Sequence, residues 1–319
     1  MTQPLDRIAI VGAGLSGLAC ARSLSREGRE VRLFDKARGP GGRMSTRRVE
    51  TPLGTVGFDH GAQYFTARGE SFRAEVGRWA AEGLAAPWPA AGPEAWVGAP
   101  GMNAPVRALA GEMQVAWSQQ VEALVPDGAV WRLQVAGALS DPFDAVVLAL
   151  PAEQAAALLD GKDADLAARA AASRTDPCWT VMAAFAGRLP IGPDTLGEDG
   201  ILGWAARNSA KPGRADVEAW VLQASPAWSQ DHLEDAADTV VATLLGALGA
   251  QAQGPLPAPV LAQAHRWRYA RSAAGSDLAL WSATTRLGCC GDWLAGPRVE
   301  CAWDSGEALA LKMGERLRA

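Results

Sequence analysis

The chain has 319 residues, of which 49% are hydrophobic, with a net charge of -5 and five cysteines. That length holds one large α/β domain or two domains, and the lack of a basic block argues against nucleic acid as the main partner. No apolar run approaches a membrane span, and the cysteines (Cys20, Cys178, Cys289, Cys290, Cys301) form no C-x-x-C pair and, with three histidines, no zinc-ligand spacing, so no metal is expected.

Residues 8–11 form a short apolar strand, and Gly12-Ala13-Gly14-Leu15-Ser16-Gly17 follows at once. A helical pattern over 15–27 and a second apolar strand over 31–34 lead to Asp35, 18 residues after Gly17. This β-α-β unit, with a G-x-G-x-x-G loop and an acid closing its second strand, predicts a dinucleotide site. Gly12 permits the tight turn, Gly14 clears room for a pyrophosphate, and Gly17 lets helix and strand approach. Asp35 stands where a carboxylate holds an adenosine ribose. The loop alone does not separate FAD from NAD. Gly12 and Gly14 interrupt the first apolar run, so no secretory signal is read and a cytoplasmic protein is expected.

Lys36-Ala37-Arg38-Gly39-Pro40-Gly41-Gly42-Arg43-Met44 is a polar, glycine-rich loop. Gly41 and Gly42 admit a close backbone approach, and Arg43 offers a guanidinium fork to phosphate. Of Arg47 and Arg48, one is in position to reach substrate or phosphate and the other is solvated. A strand over 54–58 runs into Asp59-His60-Gly61-Ala62-Gln63-Tyr64-Phe65, where Gln63 and Tyr64 are candidates to face a ring system. His60 reads first as a structural histidine and second as a general base. Residues 71–82 have the period of an amphipathic helix, with Phe72, Val76 and Trp79 on one face. A Pro/Gly/Ala-rich stretch over 87–105, carrying Trp88 and Trp96, leads into a helix over 105–112.

Strands are expected over 113–121, 131–135 and 143–150. The third is strongly apolar, is stopped by Pro151, and reads as a buried parallel strand that rejoins the nucleotide-binding sheet. Helices over 151–159 and 164–172 follow. The character then changes: 178–185, 201–206 and 217–224 have the spacing of a mainly antiparallel sheet in a second domain. A helix is expected over 231–248, with His232 in its first turn, and a linker over 251–259. His265-Arg266-Trp267-Arg268-Tyr269-Ala270-Arg271 is basic and aromatic. It is either a solvated strand edge or a positive wall over an anionic ligand. A last strand, from Trp281 and residues 287–291, ends at Asp292, and Ser305-Gly306 reads as the opening of a final helix over 307–317. Free N–H groups at such an opening suit the far end of an extended dinucleotide, so both ends of the chain grip the cofactor. Some of the 13 tryptophans are expected to line a cavity for a flat aromatic ligand. Adjacent Cys289 and Cys290 make a poor disulfide. No Ser/His/Asp or paired-carboxylate constellation is present, so no acid–base catalytic residue is assigned.

On Gly12-x-Gly14-x-x-Gly17, Asp35, Gly41-Gly42-Arg43-Met44, Asp59-His60-Gly61-Ala62-Gln63 and the Gly291-Asp292 … Gly306 pattern, the chain resembles the FAD-binding amine-oxidase superfamily. Within it the resemblance is to bacterial renalase-like NAD(P)/FAD-dependent oxidoreductases, over essentially the whole chain, with 204–213, 220–228 and 265–271 resembling that branch. With the elements above, this implies an α/β fold: a Rossmann-type (two-dinucleotide-binding) FAD domain over residues 1–70, 101–158 and 260–319, and a mainly antiparallel α+β substrate domain over 71–100 and 159–259. The resemblance implies FAD held by Gly12, Ala13, Gly14, Leu15, Ser16, Gly17, Asp35, Lys36, Gly42, Arg43, Met44, Gly61, Ala62, Gln63, Val121, Asp292, Trp303 and Gly306. Val121, in the strand from Met113, would meet the adenine, and the backbone near Gly306 the flavin pyrimidine edge. The cysteine motif of covalent attachment in monoamine oxidases is missing, so FAD is expected to be non-covalent. Substrate-side candidates are His60, Gln63, Tyr64, Trp204, Arg207, Asn208, His265, Arg266 and Arg268. The resemblance further implies oxidation of 2- and 6-dihydro isomers of NAD(P)H, a dihydronicotinamide dinucleotide substrate whose hydride passes to flavin N5. NAD(P)+ leaves, and molecular oxygen reoxidises the flavin to give hydrogen peroxide. A flavin amine oxidase or desaturase of the same fold is the alternative; the choice of NAD or NADP and the oligomeric state stay open.

Overall fold

The computed structural model describes residues 5–315. Six strands form the first sheet, in the order Leu280–Ser282, Leu287–Cys289, Ala145–Leu148, Arg7–Val11, Glu30–Asp35 and Gln114–Trp117. All neighbours run parallel except the Leu280–Ser282 edge. A central parallel strand is covered on both faces and must be apolar throughout. Ala145–Leu148 meets that demand: all four residues are buried, and the strand rejoins the nucleotide-binding sheet as its sequence suggested, between Arg7–Val11 and Leu287–Cys289. On one face Ile8, Ile10 and Leu33 pack beneath the helices Leu15–Arg26 and Val299–Glu315. On the other, Val11, Phe34, Val146 and Leu148 pack against the helices Ala152–Leu159 and Ala164–Ala172 and a three-stranded sheet (Val121–Asp127, Val130–Val135, Ala138–Leu139).

Two expectations change here. The strand over 113–121 is two strands. Ser118 takes a left-handed conformation (φ 57), and its N–H donates to the Ala37 carbonyl while that of Gln119 donates to the Asp35 carbonyl. The chain turns off the parallel edge, and Val121 opens the three-stranded sheet instead. The C-terminal helix begins at Val299, so Ser305-Gly306 is interior and not an opening. The reason is packing. A Cβ at Gly306 would stand 2.2 Å from the Ser16 carbonyl oxygen, so glycine is what lets this helix lie on Leu15–Arg26. Gly306→Val is accordingly expected to destabilise the protein by about 3 kcal/mol through overpacking. A denaturant midpoint equal to that of the parent would contradict this.

The second sheet is antiparallel, in the order Thr195–Leu196, Leu202–Arg207, Glu218–Ala224, Thr175–Phe185 and Leu261–Ser272. Leu261–Ser272, assigned from sequence to the nucleotide domain, is the edge strand here because it pairs along Thr175–Phe185. Two helices move the other way. Glu70–Ala81 buries Phe72, Val76 and Trp79 in the core of the first sheet, and Ala164–Ala172 buries Leu166 and Ala170 there. The helix expected over 231–248 is split into Pro226–Asp231 and Ala237–Ala250, with His232 between them, stacked on Trp228.

Ala237–Ala250 covers one face of the second sheet with Val240, Leu244 and Leu248. The hairpin Thr46–Thr51/Gly54–Asp59 covers part of the other, setting Val56 and Phe58 on Met182, Ala184 and Val221. This hairpin leaves the Arg43 loop and delivers the chain to His60, which puts the residues after Asp59 at the junction of the two sheets. Among the described residues no helix is long and apolar enough to cross a membrane.

Candidate cofactor and substrate site

The glycines of the first loop divide into two kinds. A Cβ at Gly12 (φ 104) would lie 2.3 Å from the Ala149 carbonyl oxygen, and one at Gly17 would lie 2.1 Å from the Gly12 carbonyl oxygen. The fold itself requires these two. At Gly14 a Cβ would meet nothing within 4 Å, and the backbone there (φ -76) is one that any L-residue adopts. Packing gives no reason for glycine at 14; a ligand lying against the loop does. Gly42 adjoins the loop, where a Cβ would sit 3.7 Å from the Gly14 Cα.

The polar groups agree. Ser16 is buried in the first turn of Leu15–Arg26, and its Oγ has no hydrogen-bond partner among the described residues. Helix openings also leave backbone N–H groups unpaired, and a phosphate satisfies both. Asp35 braces the loop by accepting from the Ala13 N–H at 2.7 Å and the Ala37 N–H at 2.8 Å. Its carboxylate keeps acceptor capacity for a ribose hydroxyl. These residues fit an extended dinucleotide.

Arg43 joins the two ends of the chain. It donates to Asp292 at 2.8 and 2.5 Å and to the Ala270 carbonyl at 3.3 Å. Its own carbonyl accepts from the Ala62 N–H at 2.8 Å, and a Cβ at Gly61 would stand 2.0 Å from that same oxygen. Gly42, Arg43, Met44, Gly61, Ala62 and Asp292 therefore meet beside Gly14. Lys36 lies to one side, 3.5 Å from Gln154, and Val121 is buried in one cluster with Val11 and Phe34. Gly306 and Trp303 do not join the site. Gly306 is packed on Ser16, and Trp303 lies in the core against Phe72 and Trp79. Ser305 explains the pattern that misled: its Oγ accepts from the Gly291 N–H at 2.8 Å and so fixes the turn that presents Asp292.

The candidate substrate side is built of rings. Trp267 Nε1 donates to the His60 carbonyl at 2.8 Å, and Gln223 Nε2 donates to the Gly61 carbonyl at 2.8 Å, clamping this segment to the second sheet. The centroids of His60, His265 and Trp267 are 4.6 to 5.1 Å apart. Tyr64 and Trp204 pair at 5.5 Å. Burial, the neighbouring His265 ring and Arg47 push His60 down to about 4. Burial and Arg47 do the same to His265, also to about 4. Both imidazoles are neutral at pH 7.

Several sequence candidates have structural work instead. Arg207 is buried among Asp194, Glu218 and the Ile191 carbonyl, over the Trp220 ring. Asn208 ties the Asp59 N–H to the Gly57 carbonyl. Gln63 spends its amide on the Asp59 and Gly61 carbonyls and on Lys211. Arg266 and Arg268 point to the other side of their strand, where both pair with Glu234. The positive wall read from that stretch is neutralised.

A buried ionic centre escaped the sequence reading. Asp59 pairs with Arg214 at 2.5 Å and Lys211 at 3.3 Å, and accepts from Thr46 Oγ1 and the Met102 N–H. Both cations come from one short loop, Lys211-Pro212-Gly213-Arg214, and that spacing was the available signal. Burial alone would raise the Asp59 carboxyl, but Lys211 and Arg214 hold it down to about 2. Lys211 is lowered to about 8, first by burial.

Residues 10–76 match the NAD(P)-binding Rossmann-like domain family. A 44-residue stretch is 48% identical to the zeta-carotene-forming phytoene desaturase of Myxococcus xanthus; it is 14% of this chain and only 8% of that protein. A protein assigned as a protoporphyrinogen oxidase from Exiguobacterium sp. 255-15 superposes with a TM-score of 0.72 at 12% identity, over 99% of this chain and 100% of that one. Cyclohexylamine oxidase from Brevibacterium oxydans IH-35A gives 0.71 at 11% identity, over 99% and 100%. A putrescine oxidase variant gives 0.70 at 15% identity, over 96% and 98%. The chain has the fold of the FAD-dependent amine oxidases. At these identities the likeness is one of fold.

Proposed function

We propose that this protein is an FAD-dependent oxidoreductase that takes a hydride from 2- or 6-dihydro isomers of NAD(P)H. FAD, bound non-covalently, supplies the hydride acceptor, and molecular oxygen is the terminal oxidant. The Gly14 loop, Ser16 Oγ and Arg43 hold the pyrophosphate, and Asp35 the adenosine ribose. Tyr64 and Trp204 orient a flat substrate against the Gly61–Ala62 backbone.

The observation that carries the reading is the pair of neutral imidazoles, His60 and His265, set with Trp267 beside Gly61. An amine is protonated at neutral pH and must give up that proton before hydride can leave, and groups held near 4 offer it no base, so the proton would have to go to solvent. A dihydropyridine regains aromaticity by losing hydride alone, so the protein has only to place it. The fold likeness to amine oxidases, and the short match to a desaturase, support those substrates as the second reading.

Anaerobic stopped-flow mixing decides between them. Flavin bleaching by 2- or 6-dihydro-NAD is expected to be about 100-fold faster than by ordinary NADH, the difference that ring placement makes. Equal rates with the three dinucleotides would sink the proposal, and bleaching by an amine panel alone would establish the alternative.

A further inference from the structure

Several arginines near the site are compensated, and those that are not, Arg38, Arg48 and Arg271, are exposed, whereas Arg47 is half-buried. Arg43 is paired with Asp292, Arg207 with Glu218, Arg214 with Asp59, and Arg266 and Arg268 with Glu234. Among the described residues no carboxylate lies within ion-pair distance of Arg47. Its recorded side-chain partner is His265 Nδ1, at 3.4 Å from one guanidinium nitrogen. Arg47 is half-buried and lies opposite Phe58 in the hairpin. Residues directly opposite on antiparallel strands share a face, so Arg47 continues the face by which Phe58 packs on the second sheet. It ends beside the ring cluster.

A guanidinium can only donate, so His265 Nδ1 is the acceptor and the proton sits on Nε2. A neutral imidazole does not balance a partly desolvated cation. Next to it His60 is 5% exposed, and its Nδ1 is buried with no hydrogen-bond partner among the described residues. An unmatched cation and an unmatched imidazole nitrogen thus lie on either side of His265. An acceptor-rich anion would balance the cation, and with the proton on Nδ1 the His60 ring would donate to the same group.

We propose that Arg47, with His60 and His265, is the anion-recognition subsite of the substrate end of the site, and that it takes the phosphate-bearing part of the substrate. The assignment rests on the dihydronicotinamide reading for the identity of that anion. It does not rest on it for the subsite itself. Arg47 selects substrates by charge and leaves the hydride step to the placement of the ring.

The test uses the FAD-loaded protein and three forms: parent, Arg47→Met and Arg47→Lys. NAD+, which carries the pyrophosphate, and nicotinamide riboside, which does not, are titrated against the flavin absorbance spectrum. The parent is expected to bind NAD+ the more tightly. Arg47→Met should weaken NAD+ binding about 10- to 100-fold, the worth of a charged hydrogen bond. It should leave the riboside within about twofold, and Arg47→Lys should restore part of the loss. An equal loss for both ligands marks Arg47 as a structural residue, and unchanged NAD+ binding removes it from recognition; either overturns the proposal. If neither ligand perturbs the flavin of the parent, the dihydronicotinamide reading fails on its own. Inorganic pyrophosphate is then titrated against the tryptophan fluorescence, because Trp267 adjoins the cluster. A response in the parent that Arg47→Met abolishes upholds the subsite, and no response in the parent overturns it.

Discussion

Gly14→Val is expected to fold like the parent and to lose FAD. The position has room for a side chain and a backbone angle that accepts one. Nothing in the protein lies within 4 Å of the new Cβ, so the melting temperature of the FAD-free protein should match that of FAD-free parent. The side chain would enter the open space beside the loop that a pyrophosphate needs. Affinity is expected to fall by at least about 100-fold, roughly 2.7 kcal/mol. The comparison must be made without FAD, because a bound ligand at 100 times its Kd itself adds about 2.7 kcal/mol to the parent. Gly17→Ala is the contrast. Its Cβ would lie 2.1 Å from a carbonyl, so it should fail to fold before it fails to bind. A Gly14→Val protein that purifies yellow with a full complement of flavin would show that the cofactor does not lie on this loop.

These two glycines look alike in sequence, and what separates them shows what the sequence carries. The β-α-β unit was legible because its signals are local: an apolar run, three glycines in register, an acid at a fixed distance. The buried strand at Ala145–Leu148 was legible because burial on both faces leaves a composition that no exposed strand has. Gly306 was misread because Ser-Gly can open a helix or lie inside one. The deciding contact is with Ser16, nearly three hundred residues earlier in the chain. Arg266 and Arg268 looked like a positive wall because Glu234, which cancels both, lies on a separate loop more than thirty residues earlier. Arg47, by contrast, is notable for a partner it lacks, and the lack of a partner is a property of the fold alone. The edge strand Leu261–Ser272 was assigned to the wrong sheet for the same reason. Its alternation fits an edge strand in either sheet, and only its pairing with Thr175–Phe185 decides.

Asp59→Asn is expected to destabilise the protein by about 3–5 kcal/mol, the cost of removing one partner from a buried ion pair. The side chain keeps its shape, so the loss is one of charge. Lys211 and Arg214 would remain as two buried cations facing a neutral amide. The pH dependence has a defined sign. The Asp59 carboxyl is held at about 2 in the folded protein against 3.8 in its absence. Its contribution is therefore complete above the unfolded value and is lost as pH falls toward about 2, an effect of roughly 2 kcal/mol. The gap between parent and Asp59→Asn should narrow as pH is lowered from 5 to 3. Lys211 behaves in the opposite sense. Its folded value of about 8 lies below the ordinary 10.5, so the unfolded chain binds more protons between those values and stability rises with pH across that window. The two partners differ because Arg214 already balances Asp59, which makes the Lys211 charge the surplus one. Lys211→Met should consequently cost less than Asp59→Asn, and it should recover part of the loss when the two are combined, a coupling that a double-mutant cycle reads directly. Strictly additive single and double variants would mean that Lys211 does not interact with Asp59, and that Asp59 is held by Arg214, Thr46 and Met102 without it.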